Sequence, residues 1–139
     1  MRKVIFTMAL MMVSSSAMAE WIKIAEGKFG SKYYDSEVIR EGSMAFVWYL
    51  TDANTENSLV PLPFASIKFR KQYDCAESKS REIAMILFSD SMGEGNVISN
   101  KSVTKNWKTV TTNGKAVAAK DFDPLTKKEW ELVCGKVQN

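Results

Sequence analysis

The residue types that most often carry enzymatic or metal chemistry are scarce in this sequence. Its 139 residues contain two cysteines, Cys75 and Cys134, and no histidine. The lack of histidine excludes His-based catalytic triads, imidazole zinc sites and imidazole general bases. An even number of cysteines in a small exported chain favours one internal disulfide; two free thiols or an intermolecular bridge are the alternatives. If the cysteines are bridged, thiolate catalysis and thiolate metal sites are excluded too, and we expect no catalytic residue, metal or other cofactor.

Acidic side chains are the remaining candidates for catalysis. Asp35, Asp74 and Glu82 lie in or beside predicted strands, and a glycosidase needs two carboxylates at a suitable separation. Nothing in the sequence indicates that two of them converge, so we interpret them as turn caps and solvated strand residues. Gly93-Glu94-Gly95 lacks the third glycine and the Lys-Ser/Thr of a phosphate-binding loop, so we interpret it as a turn.

A basic stretch is the main candidate for binding. From Lys101 to Lys120 there are five lysines and no acidic residue. Lys68, Arg70 and Lys71 would extend this surface if their strand lay beside it. The alternative is an ordinary solvated hairpin face, which protects β edges from aggregation. The candidate binding surface consists of Lys101, Lys105, Trp107, Lys108 and Lys115.

The first 19 residues have the pattern of a secretory signal peptide. Arg2 and Lys3 precede the apolar stretch Val4–Val13, and Ala17-Met18-Ala19 is a small-residue cleavage site. About ten apolar residues are too few to span a bilayer, which takes about 20, and no later segment is longer. Cleavage after Ala19 predicts a single periplasmic or secreted domain of residues 20–139. Removal of Arg2 and Lys3 leaves 17 basic and 16 acidic residues, a net charge of +1 that gives no case for nucleic acid.

The elements that must position these residues are mostly strands. Alternating and β-branched or aromatic runs predict them, and the run from Met44 is apolar on both faces, as in a central strand. Glu37–Arg40 is predicted as a single turn closed by Gly42, and the longest loop contains Thr51–Ser58. Asn113-Gly114 predicts a hairpin between Trp107–Thr112 and Lys115–Ala118. The other strands are predicted at Glu20–Glu26, Lys32–Asp35, Met44–Leu50, Phe64–Cys75, Ser80–Ser89 and Asn96–Ser99.

The last segment has a helical period. Asp123 suits an N-cap and Pro124 the first helical position, and Gly135 marks the stop. The apolar stripe of this helix, which carries the second cysteine, can dock on the sheet face that carries Cys75. The stripe is formed by Trp130, Val133, Cys134 and Val137.

An ordered set of short motifs runs from Glu20 to about Gly135. The motifs are, in order, Glu20-Trp21, Tyr33-Tyr34-Asp35, Ile39-Arg40-Glu41-Gly42, Val47-Trp48, Tyr73-Asp74-Cys75, Ser89-Asp90-Ser91-Met92-Gly93, Trp107 and Val133-Cys134. This set resembles the surface-adhesin protein E family of Gram-negative bacteria. The resemblance implies an α+β fold in which a strongly curved antiparallel sheet of about six strands carries a C-terminal helix on its concave side, tethered by a disulfide between Cys75 and Cys134.

For function, the resemblance implies non-enzymatic binding of host matrix or serum proteins, with a homodimer as one form. The adhesin that names the family resembles a lipoprotein with a cysteine at its mature N-terminus, whereas Glu20 stands there in this sequence. We therefore expect no lipid anchor. The leading hypothesis is an exported protein that binds another protein or an envelope component. The alternatives are a periplasmic small-ligand carrier, with a pocket involving Trp48 and Trp130, and a carboxylate-dependent cell-wall hydrolase.

Overall fold

Most of the predicted domain is defined in a computed structural model. The structure describes residues 20–28, 30–53, 62–102, 104–109, 111–112, 115–116 and 124–135. The predicted signal peptide, most of the loop after Thr51, Asn113-Gly114, the N-cap Asp123 and Val137 lie outside the described residues. The side chains of residues 111–112 and 115–116 also lie outside them.

The fold is an open antiparallel sheet with one C-terminal helix. Six strands follow the order β1-β2-β4-β5-β6-β7, and the short strands β3 and β8 pair with β4 and β6 respectively. The α+β class and the antiparallel sheet predicted from the sequence are confirmed. The elements are β1 Trp21–Gly27, β2 Gly30–Asp35, β3 Ile39–Glu41, β4 Met44–Ala53, β5 Ser66–Asp74, β6 Lys79–Phe88, β7 Val97–Ser102, β8 Lys108–Thr109, β9 Thr111–Thr112, β10 Lys115–Ala116 and α1 Pro124–Cys134.

Strand β4 is central, as its two apolar faces predict. It pairs with β2 and β3 on one side and along Met44–Asp52 with β5 on the other. Successive side chains of a strand point to opposite faces, so β4 supplies both surfaces of the sheet. Ala45, Val47 and Tyr49 are buried on the face that α1 covers.

The predicted turn at Glu37–Arg40 is wrong at its second half. Ile39–Glu41 forms β3, which pairs antiparallel with β4 in the register Ile39↔Phe46. Gly42 adopts φ +60°, a conformation that glycine enters without steric cost and that turns the chain back into β4. A run of three residues is too short to show a period of two, so the sequence pattern did not distinguish this strand from a turn.

Helix α1 packs on one face of the sheet, as predicted. Trp130 and Val133 are buried against Ala45, Val47 and Tyr73, and the Trp130 and Tyr73 rings meet edge to face with centroids 6.0 Å apart. The helix ends as expected, with Gly135 at φ +92° donating its N–H to the carbonyl of Glu131.

Covalent and polar contacts hold the C-terminal end of the helix. Cys134 forms a disulfide with Cys75, which follows β5 directly, so the predicted pairing is confirmed. Arg40 donates from Nε to the carbonyl of Val133 (3.2 Å) and from Nη2 to that of Leu132 (3.1 Å). These bonds satisfy carbonyl groups that the end of a helix leaves without partners.

The opposite face of the sheet is covered at one end by a single 3-10 turn, Ser91–Gly93. Ser66 is fully buried there, donating to the carbonyl of Asp90 and accepting from the N–H of Gly93. The Asp52 carboxylate accepts from the N–H of Met92 at 3.0 Å. The chain turns at Gly93-Glu94-Gly95, as predicted, with both glycines at positive φ.

Two irregular features shape the strands near the basic stretch. β5 and β6 pair with a bulge: Arg70 faces Ala84 and Lys71 faces Glu82, which leaves Ile83 as the additional residue of β6. The predicted hairpin is present as the β9–β10 pair in the register Thr112↔Lys115. Its first arm is shorter than predicted, because Lys108 and Thr109 pair with β6.

Candidate functional site

The aromatic–arginine face is a half-buried surface on the side of the sheet opposite α1. It consists of Phe46 and Trp48 of β4, Arg70 of β5, Arg81 of β6 and Trp107, which precedes β8. Trp48 and Arg70 are direct cross-strand partners, so they share one face. The Arg70 guanidinium carbon lies 5.2 Å from the Phe46 ring centroid and 5.9 Å from that of Trp48. One cation therefore contacts two rings.

A second cation contacts a third ring on this face. The guanidinium of Arg81 lies 4.2 Å from the centroid of the Trp107 ring. Its Nε donates to Oε1 of Gln72 at 2.8 Å, and Gln72 is the cross-strand partner of both Phe46 and Arg81. Gln72 thus links the two stacked groups across three neighbouring strands.

The Arg70 side chain is held in a costly environment. Its Nε is buried and forms no hydrogen bond within the described part of the chain. A buried donor without an acceptor costs about 1–3 kcal/mol, so this arrangement is not the most stable use of the position. Such groups call for an explanation, and a binding role for the guanidinium is one.

On the helix side, a buried polar cluster joins α1 to the sheet. The Lys32 ammonium pairs with the carboxylate of Glu129, which is only 8% exposed. The hydroxyls of Tyr49 and Tyr73 lie 2.7 Å apart and are both buried. Burial raises the pKa of each phenol well above its usual range, and the Glu129 carboxylate adds to this.

Lys71 lies beside this cluster. Its ammonium is 5.7 Å from the centroid of the Tyr49 ring and 5.9 Å from that of Phe69. Burial lowers the pKa of this ammonium below 10.5; Lys32 lowers it further, whereas the carboxylates of Glu129 and Glu82 act in the opposite direction. The charge of Lys71 is therefore poorly compensated.

The members of the predicted basic surface whose side chains are described have different neighbours, although Lys105 and Lys108 line one cavity. Lys105 pairs with Glu82, and its N–H also donates to the Glu82 carbonyl. Lys108 pairs with Ser80 at the helix side of β6, while Trp107 contacts Arg81. Lys101 lies exposed on β7, and the side chain of Lys115 is outside the described residues. The suggested extension by β5 required the two strands to be neighbours, but β6 lies between β5 and β8. Lys71 nevertheless lines one cavity with Lys105 and Lys108.

The three candidate catalytic carboxylates have separate local contacts. Asp35 accepts the N–H of Glu37, and Asp74 accepts those of Ala76 and Glu77, so both cap turns as predicted. These two aspartates belong to strands with β4 between them. Glu82 pairs with a lysine on the helix side. The structure does not bring these carboxylates together, and the described residues contain no cluster of three His, Cys, Asp or Glu suited to a metal ion.

The predicted carrier pocket is not formed by its two tryptophans. Trp130 is buried between α1 and the sheet, whereas Trp48 alternates with the buried Val47 and Tyr49 and so points to the opposite face. From the sequence, Arg70 was expected only as an extension of the basic stretch, and nothing indicated a role for Gln72. The alternation of Phe46 and Trp48 was the signal available in the sequence. It did not predict which cation lies opposite these rings, because that depends on the register between β4 and β5.

This structure defines a class: a small α+β domain in which a disulfide-tethered helix covers one face of an open sheet and leaves a cation–aromatic surface on the other. The model of the surface-adhesin protein E family matches residues 21–135, and the chain belongs to this family. Family membership supports an adhesin-like surface protein that binds host or other proteins. Among the described residues, no helix is long and apolar enough to cross a membrane.

Solved structures agree with this assignment at the level of the fold. The selenomethionine form of Haemophilus influenzae protein E aligns with a TM-score of 0.54 at 14% identity, covering 79% of this chain and 83% of that chain. Crystal form II of the same protein aligns with a TM-score of 0.53 at 14% identity, covering 81% and 95%. No curated protein sequence gives a significant match.

Proposed function

We propose that this chain is an exported, non-enzymatic binding protein that holds another protein through its aromatic–arginine face. The observation that carries the proposal is the stacking of Arg70 across Phe46 and Trp48 on a sheet face that α1 leaves uncovered. Tryptophan, tyrosine and arginine are the residue types most enriched among the energetic centres of protein interfaces.

The restraint of these side chains supports binding in a second way. Ordering a long, mobile side chain at an interface costs about 0.5–1.5 kcal/mol. Arg70 and Arg81 are already held against rings, and Arg81 is also held by Gln72. A partner that contacts these side chains therefore loses less conformational entropy on binding, which increases the affinity that a small interface can reach.

The class of partner, the export and the oligomeric form are proposed from the family match and from the pattern of a signal peptide. A host matrix or serum protein is the proposed partner, because the family model is that of a surface adhesin. The signal peptide is proposed to be removed after Ala19, without a lipid anchor at Glu20, for release to the periplasm or the medium. A homodimer is the proposed oligomeric form.

Binding to immobilised extracellular-matrix and serum proteins tests the proposal. Arg70→Gln and Trp48→Ala should each weaken binding to the captured partner about 30-fold, the effect of losing one energetic centre. Lys127→Gln removes an exposed positive charge on α1, on the opposite side of the sheet, and serves as the matched control. Full binding by a folded Arg70→Gln protein would contradict the role of this face.

The predicted basic surface needs its own experiment. Charge reversal at Lys105, Lys108 and Lys115 should weaken capture of the same partner without changing the melting temperature, if that surface contributes. Unaltered capture by the folded triple variant would count against it and leave the aromatic–arginine face as the binding surface.

Export is tested by mass spectrometry of protein recovered from the native cell. The proposal predicts a mature chain that begins at Glu20 with an unmodified α-amino group and is found in the periplasmic or secreted fraction. Recovery of a lipid-modified chain from the membrane fraction would overturn the proposal of release.

A further inference from the structure

The helix-side cleft is a second candidate site, on the face of the sheet that carries α1. It consists of two adjoining cavities of about 230 Å³ and 140 Å³. Both cavities are lined by Lys71, Ser80 and Lys108. The other described residues that line the larger cavity are Tyr73, Thr109, Thr126, Glu129 and Trp130. Those that line the smaller one are Arg81, Glu82, Lys105 and Asn106.

The charges of this cleft do not balance. The two carboxylates that line it are each engaged by another lysine, Glu82 by Lys105 and Glu129 by Lys32. Within the described part of the chain, neither Lys71 nor Lys108 forms a salt bridge. Among the residues that the structure describes, these two ammonium groups therefore line one small cavity without a carboxylate of their own.

Lys71 is the more informative of the two lysines. It is only partly exposed, and its ammonium lies near two aromatic rings, with no hydrogen bond to another residue in the described part of the chain. A buried charge without a partner is costly, and an anion in the cavity would remove much of this cost. The lowered pKa of Lys71 has the same physical origin, since burial outweighs both nearby carboxylates.

The size and lining of the cleft limit what it can hold. Sites for drug-sized ligands usually measure about 300–1,000 Å³, and each of these cavities is smaller. Hydroxyl groups of Ser80 and Thr109 stand beside the two lysines and can donate hydrogen bonds. Two cations, hydroxyl donors and a small volume together match one oxyanion group.

We propose that the helix-side cleft binds a small free oxyanion, of the carboxylate, sulfate or phosphate type, between Lys71 and Lys108. The two lysines lie on the other side of the sheet from Arg70, because Lys71 and its neighbour Arg70 point to opposite sides of β5, although Arg81 of the aromatic–arginine face also lines the smaller cavity. The anion would brace α1 against β6 and β8 at the end of the helix that lies away from the disulfide.

Titration with sodium acetate, sodium sulfate and inorganic phosphate tests this site, with ionic strength held constant by sodium chloride. Amide chemical shifts of Ser80, Lys108 and Thr109 should change saturably with at least one of the three anions. The Lys71 pKa, followed through its side-chain carbon shift, should rise on binding, because protonation and anion binding are linked.

Variants separate a built site from general attraction to a basic surface. Lys71→Met should weaken anion binding about tenfold, the effect of losing one charged hydrogen bond, and Lys108→Gln at its exposed position should do the same. Lys101 lies outside both cavities, so Lys101→Gln should change the anion affinity less than twofold. Non-saturating shifts, or equal weakening by Lys101→Gln, would overturn the proposal. Arg70→Gln should leave anion binding intact, so failure of the protein-binding proposal is distinguishable from failure of this one.

Discussion

Removing the disulfide gives the sharpest test of how the helix is held. Cys75 and Cys134 are separated by 59 residues, and closing a loop of that length stabilises the fold by roughly 4 kcal/mol through the unfolded chain. Domains of this size are stable by about 5–15 kcal/mol in total, so the loss is a large share. The double variant Cys75→Ala/Cys134→Ala removes the bridge without leaving free thiols.

Urea unfolding followed by tryptophan fluorescence measures the loss. For an m value typical of small domains, the midpoint should fall by roughly 2–3 M relative to the oxidised wild type. The reduced wild type should unfold near the double variant, which separates the effect of the bridge from the effect of the substitutions. A midpoint within 0.5 M of the oxidised protein, on the order of 1 kcal/mol or less, would refute the loop-entropy reasoning.

Hydrogen exchange distinguishes two ways in which the bridge can act. Without it, α1 is still held by the buried Trp130 and Val133 and by Arg40. If the bridge acts through the unfolded chain, protection should fall evenly in α1 and in β4. Loss of protection confined to α1, with an unchanged urea midpoint, would show instead that the bridge acts only by clamping the native helix.

Three further predictions concern the core, the helix end and a tight strand pair. Burial raises the pKa of Tyr49 and Tyr73 above 10.0, so their contribution to folding stability is complete below that pH and is lost above it. The free energy of unfolding should therefore fall by about 2.7 kcal/mol per pH unit above pH 10, and by half that slope in Tyr73→Phe. An equal slope in both proteins would contradict the assignment. Arg40→Ala should cost about 1 kcal/mol in thermal unfolding by removing two bonds to the helix end, and Arg40→Lys should restore little of it, since lysine lacks the fork. Gly30→Ala should lower the free energy of unfolding by more than about 2 kcal/mol, because Gly30 has φ +144° and a Cβ there would lie 2.1 Å from a backbone oxygen of β4. Gly27→Ala is the control, since a Cβ at that position meets no atom within 4 Å.

Local patterns in the sequence were sufficient for the scaffold. The two apolar faces of the β4 run predicted a central strand, and the stripe through Trp130 and Val133 predicted the docking face of α1. Both signals come from residues near one another in the chain. The disulfide followed from the even cysteine count in an exported chain and from the family resemblance.

Long-range register was not predictable in the same way. That Arg70 lies opposite Trp48 depends on how β4 and β5 align with each other, which no local period determines. The pairing of Glu82 with Lys105 and of Glu129 with Lys32 likewise joins distant segments. The basic stretch therefore looked like one surface in the sequence, although its members have different neighbours in the structure.

The bulge at Ile83 sets a rule for how this chain can change by insertion and deletion. Arg70 and Lys71 are adjacent in sequence but serve opposite faces, and the bulge accommodates Ile83 so that their partners Ala84 and Glu82 stay on the matching sides. Deleting Ile83 would leave Glu82 and Ala84 as consecutive residues that still point to opposite faces, whereas deleting any other residue of β6 would place the residues that follow it on the wrong face. Length changes should therefore accumulate at the bulge and in the turns that flank β6, while the two surfaces diversify independently by point substitution.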